Sequence, residues 1–391
     1  MSTTQSTSLK KVASVFNGKT PSKAEQRNTG HPVLKIKDVD AYGRFIGQYD
    51  SFVEDGVIKK NSGKLLLGNE TLILNAAHNA DYVGTKVFFS EPDVKGALPT
   101  GEWLVVRANK DVLDAKFVHY WIQSDRVKKK IRGLVKGIHL YPKDVAELEI
   151  NLPPLDEQKR IAAILDKADG IRCKRAESLR LLDDLLRATF LDMFGDPAVN
   201  PKNWSKVNLG EATIIDAPMV DPRLEEYLDL VHIGPDRIER DTGRILPALT
   251  AREERLISGK FLFDKRHVLY SKIRPYLRKV ALPNFKGLCS ADMYPIRPRE
   301  NVATREYLFS LLISEAFLDY TKSLPSRASI PKLNREELAA YIFPLPPYEL
   351  QIEYSKKCAY IKNSYDLCAE AITESDTLFH SLVVRAFKGE W

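Results

Sequence analysis

Residues 17–20 have the types that end a phosphate-binding loop, in which glycine amides cradle phosphate oxygens and a lysine neutralises them. They read Asn17, Gly18, Lys19 and Thr20. The complete motif needs a further glycine at position 13, which is Ala13. Without that glycine the backbone cradle is incomplete, so the sequence does not predict a nucleotide-binding loop.

The segment Leu-Pro-Pro-Tyr at 345–348 is close to the Asn/Asp-Pro-Pro-Tyr motif of adenine methyltransferases. In that motif the first residue accepts a hydrogen bond from the target amine, which Leu345 cannot do. Residues 92–95 and 235–237 hold acidic and basic side chains, but they lack the second acidic residue of a metal-dependent nuclease. The Leu-Pro-Pro-Tyr segment is better interpreted as a helix-entry turn, and the other two fragments do not predict a metal-dependent nuclease.

No other catalytic or metal-binding group is predicted. The histidines lie far apart in sequence, without a serine or cysteine placed to act as a nucleophile. The cysteines form no CxxC pair and are predicted to be reduced thiols. These scattered residues are His78, His119, His139, His232, His267, Cys173, Cys289, Cys358 and Cys368.

Two basic clusters remain, at 126–136 and 265–286, and neither contains an acidic residue. Aromatic and small polar side chains are interleaved in the second cluster, as at Tyr270 and Tyr276. Such clusters are the footprint of a phosphate-binding surface, although a solvated charged face has the same composition. The pattern favours nucleic acid as the partner.

The overall composition is that of a folded protein of two or three domains. The 391 residues include 44% hydrophobic ones and carry a net charge of +7. Residues 1–150 carry +6 and 201–350 carry +3, whereas 151–200 and 351–391 each carry −1. No apolar run is long enough to cross a membrane, and the polar start predicts a cytoplasmic protein.

The chain contains an internal repeat. Leu-Pro-Pro-Leu-Asp-Glu-Gln at 152–158 recurs as Leu-Pro-Pro-Tyr-Glu-Leu-Gln at 345–351, an offset of 193 residues. The same offset holds without a gap from Leu140 and Leu333 to Phe194 and Phe387. The repeat predicts the order globular part, helix, globular part, helix.

Each Leu-Pro-Pro is followed by a stretch with the three- and four-residue spacing of a coiled-coil seam. We expect the two helices to pair in antiparallel fashion, with Tyr365 over Arg172 or Arg175; alternatively, each helix packs only on its own globular part. The predicted seam consists of Ile161, Leu165, Leu179, Leu182, Leu186, Ile361, Tyr365, Ile372 and Phe379.

The predicted fold class is α+β, with two globular domains, each followed by a long helix, and pseudo-twofold symmetry. The domain boundaries are 1–150 and 197–343 for the globular domains, and 151–196 and 344–391 for the helices. Strands are expected at 33–36, 65–67, 72–74, 86–89, 103–106, 268–271, 279–282 and 292–296, and helices at 117–131 and 304–321.

The sequence at 152–169, Leu-Pro-Pro-Leu-Asp-Glu-Gln-Lys-Arg-Ile-Ala-Ala-Ile-Leu-Asp-Lys-Ala-Asp, resembles the specificity subunit of type I restriction–modification systems. Residues 178–195 strengthen the resemblance. Val-Leu-Tyr-Ser-Lys-Ile-Arg-Pro at 268–275, followed by Gly-Leu-Cys-Ser-Ala-Asp at 287–292, is similar to target-recognition domains of that family. The resemblance covers nearly the whole chain.

This resemblance implies a non-catalytic DNA-recognition subunit that reads a bipartite double-stranded site with an unread gap. It implies two modification subunits, which carry S-adenosylmethionine and the adenine-N6 chemistry, and restriction subunits that act as motor and nuclease. No cofactor or metal is expected on this chain. The alternatives are a self-contained DNA methyltransferase or nuclease, and a coiled-coil scaffold that binds no DNA.

The candidate DNA-binding residues come from the basic clusters and from the polar residues that follow a predicted strand. The bases that they recognise depend on loop geometry, which one sequence does not determine. The candidates are Asn75, His78, Tyr82, Lys128, Lys130, Arg132, Lys136, Lys272, Arg274, Arg278, Lys279 and Arg327.

Overall fold

The structure is a computed structural model that describes residues 5–40, 42–215, 217–324 and 331–388. The chain divides into two compact units. The first unit consists of Met1–Glu177 and Glu370–Trp391, and the second of Ser178–Ala369. Each long helix therefore contributes residues to both units.

The first unit is built on short strands. They are β1 (Gln5–Ser8), β2 (Ala13–Asn17), β3 (Gln26–Arg27), β4 (His31–Leu34), β5 (Phe52–Val53), β6 (Thr71–Leu74), β7 (Val87–Phe89), β8 (Leu98–Pro99), β9 (Trp103–Ala108) and β10 (Glu149–Leu152). One sheet has the antiparallel order β2-β9-β6-β7, and a second has the order β3-β5-β4-β8, in which β4 and β8 are parallel. β1 pairs with β10, which brings the unit's first strand beside the entry to the long helix.

The helices of the first unit are α1 (Asp55–Lys60), α2 (Ala115–Gln123), α3 (Asp125–Leu134), α4 (Pro142–Ala146) and the start of α5 (Leu155–Phe194). Short 3-10 turns lie at Leu9–Lys11, Ile36–Asp38, Ser62–Lys64, Ala80–Tyr82 and Pro92–Val94. The core lies between the β2-β9-β6-β7 sheet and helices α2 and α3, with Phe117, Trp121 and Ile131 among its buried side chains.

The second unit repeats this architecture. Its strands are β11 (Lys206–Asn208), β12 (Thr213–Ile214), β13 (Met219–Val220), β14 (His232–Ile233), β15 (Lys260–Phe263), β16 (Val268–Ser271), β17 (Val280–Ala281), β18 (Gly287–Cys289), β19 (Met293–Pro298) and β20 (Ile342–Pro344). The sheets have the orders β12-β19-β16-β17 and β13-β15-β18-β14, the latter with one parallel pair, and β11 pairs with β20. The α+β prediction is confirmed.

The helices of the second unit are α6 (Leu209–Ala212), α7 (Glu225–Leu228), α8 (Arg305–Ile313), α9 (Glu315–Ser323), α10 (Arg335–Ala339) and the first half of α11 (Tyr348–Lys388). Turns of 3-10 helix lie at Pro235–Arg237 and Pro275–Leu277. Helix α10 begins 193 residues after α4, the offset found in the sequence. The repeat is therefore a repeat of topology as well as of motif.

The sequence prediction differs from the structure at three elements. The single helices expected at 117–131 and 304–321 are both broken, because Ser124 and Ser314 adopt extended backbone and each donates its Oγ–H to a carbonyl three residues back, at 2.7 Å. The strand expected at 65–67 is an irregular segment. The other predicted strands lie within two or three residues of their observed bounds.

All nine predicted seam residues of the long helices are buried or half-buried. In the first unit α5 and α11 are antiparallel, because Arg175 donates to Ala371 O and Ser375 Oγ while Arg172 lies 4.5 Å from the ring centroid of Phe379. The contact expected for Tyr365 was wrong. Its ring lies 4.9 Å from the guanidinium carbon of Arg244, a residue of the second globular part.

The long helices also pack on the sheets and on the shorter helices. In the first unit Phe379, Val383 and Ala386 from the end of α11 join the core that contains Phe117 and Tyr120. In the second unit Phe190, Phe194 and Tyr354 join the core of α8 and β19. Each helix therefore packs on the other helix and on globular elements, so the alternative in which each helix packs only on its own globular part is wrong.

The glutamine shared by the two Leu-Pro-Pro segments has the same role in both units. Gln158 accepts from Asp114 N at 2.9 Å and donates to the carbonyls of Val112 and Pro153. Gln351 accepts from Thr304 N at 2.9 Å and donates to the carbonyls of Val302 and Pro346. Each buried amide thus joins the start of a long helix to the N-cap of α2 or α8.

We expect Gln351→Leu to lower the free energy of unfolding of the full chain by about 1–3 kcal/mol for each buried group left without a partner. The affected groups are the Thr304 N–H and the carbonyls of Val302 and Pro346. Urea unfolding measures the change, with Glu353→Leu as a control at an exposed position on the same helix. Equal stability of the two variants would contradict this role of Gln351.

Candidate nucleic-acid interface

The segment that resembles a phosphate-binding loop is a packed turn. The amides of Gly18 and Lys19 donate to the carbonyls of Trp103 and Pro99, at 2.9 and 2.8 Å, so neither is available to a phosphate. A Cβ on Gly18 would lie 2.2 Å from Thr100 O, which explains the glycine by close packing. Among the described residues, no group of three or more acidic, histidine or cysteine side chains could hold a metal ion.

We call residues 75–86, which join β6 to β7, the first hairpin loop. It contains the turn Ala80–Tyr82, capped by Asn79, whose side chain accepts from Asp81 N at 3.0 Å. Ala76 bridges to His139, so the loop lies beside the segment that precedes α4. This arrangement brings the candidates His78, Tyr82 and Lys136 to one surface.

Asn75 is not on that surface. Its side chain is 3% exposed and donates both amide hydrogens within the unit, to Asn17 Oδ1 at 2.9 Å and to Gly101 O at 3.0 Å. The backbone carbonyl of Asn75 accepts a hydrogen bond from Leu140 N. The proposed base contact of Asn75 is therefore corrected to a role in holding the base of the first hairpin loop.

His78 and Tyr82 are exposed and form a ring pair with centroids 5.2 Å apart. Tyr82 is 52% exposed, so about half of its surface is open to a partner. Beside them lie His139, whose ring contacts Tyr141, and Lys136, whose Nζ is 2.7 Å from Asp144 Oδ2. The first hairpin loop thus presents aromatic groups rather than net positive charge.

The positive charge of this region comes from helix α3, which has five basic residues and one acidic residue. Val127 and Ile131 are buried, and Ile131 lies against Gly84 of the first hairpin loop. Lys130 and Arg132, two of the candidate DNA-binding residues, are exposed. Their neighbours Arg126 and Lys129 are exposed as well, so α3 carries a basic outer face next to the loop.

Lys128 is placed differently. It lines a cleft with Arg172, Asp376 and His380 of the long helices, and burial lowers the pKa of its ammonium group. On α3, Asp125 lies one turn before Lys128 and contacts His380 at 3.0 Å. This face of α3 is occupied by the long helices, so Lys128 does not share the outer face.

We call residues 272–279, which join β16 to β17, the second hairpin loop. Ile273 bridges to Lys332, which repeats the relation of Ala76 to His139. The loop contains the turn Pro275–Leu277, and Tyr276 within it is 52% exposed. In both units, therefore, a hairpin loop lies at the corresponding edge of the corresponding four-stranded sheet.

Three of the four cations predicted in this loop have partners within the unit. Lys272 Nζ donates to Ala291 O and Lys279 Nζ to Pro235 O, both at 2.6 Å. Arg278 donates to Asp241 Oδ1 at 2.6 Å and to Glu315 Oε1. Arg274 is exposed, and its guanidinium has no hydrogen bond or ion pair with any residue that the structure describes.

Two further residues of the second globular part are the candidate Arg327 and Tyr276, which lies on the second hairpin loop and was not a candidate. Arg327 lies outside the described residues. Tyr276, which the sequence indicated only as part of a basic cluster, is placed beside Arg274 at the tip of the loop. A Pro-Tyr pair between two arginines was the available signal, but which tyrosines of the cluster are exposed depends on the fold, since Tyr270 is buried.

A family model described as "Type I restriction modification DNA specificity domain" matches residues 1–180 and 241–369. The chain is 32% identical over 194 residues to the type I restriction enzyme EcoDI specificity subunit of Escherichia coli, a match that spans 49% of this chain and 43% of that subunit. It is 21% identical over 369 residues to the putative type I restriction enzyme MjaX specificity subunit of Methanocaldococcus jannaschii, covering 89% and 84% of the two chains.

Among solved structures, the S subunit of a type I restriction-modification system from M. genitalium has a similar fold. The TM-score is 0.57 at 13% identity, over 99% of this chain and 96% of that one. Within the described residues, no helix has both the length and the apolar character that crossing a membrane requires. The exposed candidate DNA-binding side chains that the structure describes lie on the two hairpin loops, on the outer face of α3 and, in the case of Lys136, just after that helix.

Proposed function

The chain belongs to the family of type I restriction–modification specificity subunits, and we propose that each of its globular parts reads one half of a bipartite double-stranded DNA site. The observation that carries this proposal is the pair of hairpin loops at corresponding positions of the two units. Each loop exposes a tyrosine, and each lies in a region with cations that have no partner among the described residues, namely Lys130 and Arg132 in the first unit and Arg274 in the second.

Affinity for DNA and specificity for a base sequence come from different contacts. Exposed lysine and arginine side chains bind phosphates and release counterions, which gives affinity without sequence preference. Base edges are read by groups that enter a groove, and a two-stranded ribbon fits the major groove. The β6–β7 and β16–β17 hairpins each form one edge of a four-stranded sheet, and in this proposal their connecting loops are the parts that enter the groove.

We assign the chemistry to partner chains. In this proposal two modification subunits carry S-adenosylmethionine and methylate adenine at N6, and restriction subunits supply the motor and nuclease activities. The specificity subunit positions these partners in the cytoplasm by binding DNA, and it needs no cofactor of its own. This division is consistent with a family whose members recognise DNA rather than modify it.

The experiment that tests this function expresses the chain together with its modification partner in cells that lack other adenine methylation. Mapping N6-methyladenine should reveal one bipartite motif with an unread gap, and either chain alone should give none. Methylation by the purified chain with S-adenosylmethionine would instead support a self-contained methyltransferase. DNA binding that is absent at every salt concentration would support the scaffold alternative.

A further inference from the structure

We propose that Arg274 is a specificity-determining residue that reads a guanine in one half-site, and that Arg278 is the positioning residue that holds the second hairpin loop in its reading conformation. This inference rests on the proposed DNA-recognition function and names the side chain that performs it. It also separates two arginines that the sequence placed in a single basic cluster.

The cations of the second hairpin loop differ in whether their donors are already used within the unit. Lys272, Lys279 and Arg278 each donate to a carbonyl or carboxylate of their own unit, as described above. Arg274 remains exposed, with no partner for its guanidinium among the described residues. Of the four cations on the second hairpin loop, Arg274 is therefore the one whose donors can meet a base without breaking an existing contact.

The backbone of the second hairpin loop is held in an uncommon conformation at two residues. Arg274 and Arg278 both adopt left-handed backbone, with φ of 49° and 46°, a conformation that is uncommon for residues other than glycine. Such a conformation persists where surrounding contacts over-determine it, and it occurs often at functional sites. Here the Arg274 amide donates to Pro331 O at 2.8 Å, and the Arg278 amide donates to Pro275 O at 2.9 Å.

The ion pairs of Arg278 hold the second hairpin loop in place. The Arg278 side chain joins the end of the loop to Asp241, in the segment after β14, and to Glu315, the first residue of α9. Both partners lie outside the hairpin, so the ion pairs fix the loop to the body of the unit. A side chain tied in this way supports the loop but does not reach DNA itself.

Guanine is the base that matches the donors of an arginine side chain. An arginine fork donates two parallel hydrogen bonds to O6 and N7 of guanine, which is the commonest specific contact in the major groove. Arg274 lies where the β16 strand leaves the sheet and the turn Pro275–Leu277 begins, in the loop at the tip of the β16–β17 hairpin. Tyr276, whose ring is exposed, lies on that turn two residues after Arg274.

The first hairpin loop offers a useful contrast. Its one basic residue, Lys86, is half-buried and donates to the carbonyls of Ile36 and Val39. The exposed groups there are His78 and Tyr82. Because the first loop has no equivalent of Arg274, changes at Arg274 should affect one half-site and leave the other unchanged.

The test uses the full chain with its modification partner and maps N6-methyladenine genome-wide. We expect Arg274→Ala to relax the requirement for guanine at one position of one half-site, with discrimination lowered about 10–100-fold. Arg274→Gln should shift preference at that position toward adenine, since glutamine pairs with N6 and N7 of adenine. Arg255→Ala is the matched control, because Arg255 is an exposed arginine of the same unit, also has left-handed backbone with φ of 53°, and lies outside the basic cluster of residues 265–286.

Glu315→Gln tests the positioning role. Loosening Arg278 should broaden recognition at the same half-site while the salt dependence of binding stays unchanged, since no phosphate contact is lost. If Arg274→Ala abolishes methylation, competition binding to duplexes that carry each base at the position in question still measures its discrimination.

The wild-type motif separates the two failures. An absent chain-dependent motif would refute the proposed function itself. A motif present in the wild type and kept unchanged by Arg274→Ala, with affinity lowered equally for all sequences, would overturn the inference and make Arg274 a phosphate contact. Broadening of both half-sites by Arg274→Ala would overturn it as well.

Discussion

Replacing Tyr354 by alanine should lower the free energy of unfolding by about 3–5 kcal/mol, the cost of removing a large aromatic side chain from a packed core. Tyr354 is fully buried in the second unit, with its ring centroid 5.8 Å from that of Phe190 and 5.1 Å from that of Phe194. Its hydroxyl shares a 2.6 Å hydrogen bond with Ser310, and burial raises the pKa of the phenol. The truncation therefore removes a junction between α5, α8 and α11.

The chain provides a matched control on the same helix. Tyr360 is 75% exposed, and Tyr360→Ala should change stability by no more than about 0.5 kcal/mol. Urea unfolding of the full chain, followed by fluorescence and circular dichroism, measures both variants. Similar losses in the two would show that the seam of α11 does not pack against the second globular part as described.

Removing the basic outer face of α3 should have the largest effect on DNA binding. We expect the triple change of Lys129, Lys130 and Arg132 to glutamine to weaken binding to all sequences alike. Each lost phosphate contact lowers the slope of log K against log salt by about 0.9, so the slope should fall by up to about three. The methylation motif should stay the same, since phosphate contacts carry no sequence information.

The control triple is Lys59, Lys60 and Lys110 to glutamine, which removes the same charge from exposed positions away from α3. Binding titrations of the complex at several salt concentrations compare the two triples. A slope lowered equally by both would mean that only net charge matters, and an altered motif in the α3 variant would mean that the helix reads bases.

The repeat and the long helices could be derived from the sequence. The offset of 193 residues predicted two units of the same kind, and the nine seam positions are buried or half-buried as expected. This succeeded because helix periodicity and the requirement to bury an apolar stripe are local properties of a sequence. The strands of the central sheets were likewise visible as short apolar runs.

The roles of individual polar residues could not be derived in this way. Asn75 has the residue type of a base reader, but the fold closes Asn17 and Gly101 around it. Arg274 and Arg278 are four residues apart in one basic cluster, and only Asp241 and Glu315, each 37 residues from Arg278 in sequence, distinguish them. A charge pattern counts donors, whereas an interface depends on which donors remain without internal partners.

The residues alone predict two repeated α+β units, two long helices with a buried stripe, and basic segments of the kind that bind nucleic acid. The tertiary structure decided which residues of those segments are exposed, where the serine breaks divide the shorter helices, and that the end of α11 completes the core of the first unit. The physical reason is that periodicity and composition act between neighbours along the chain, whereas burial and hydrogen-bond partners are set by contacts between residues far apart in sequence.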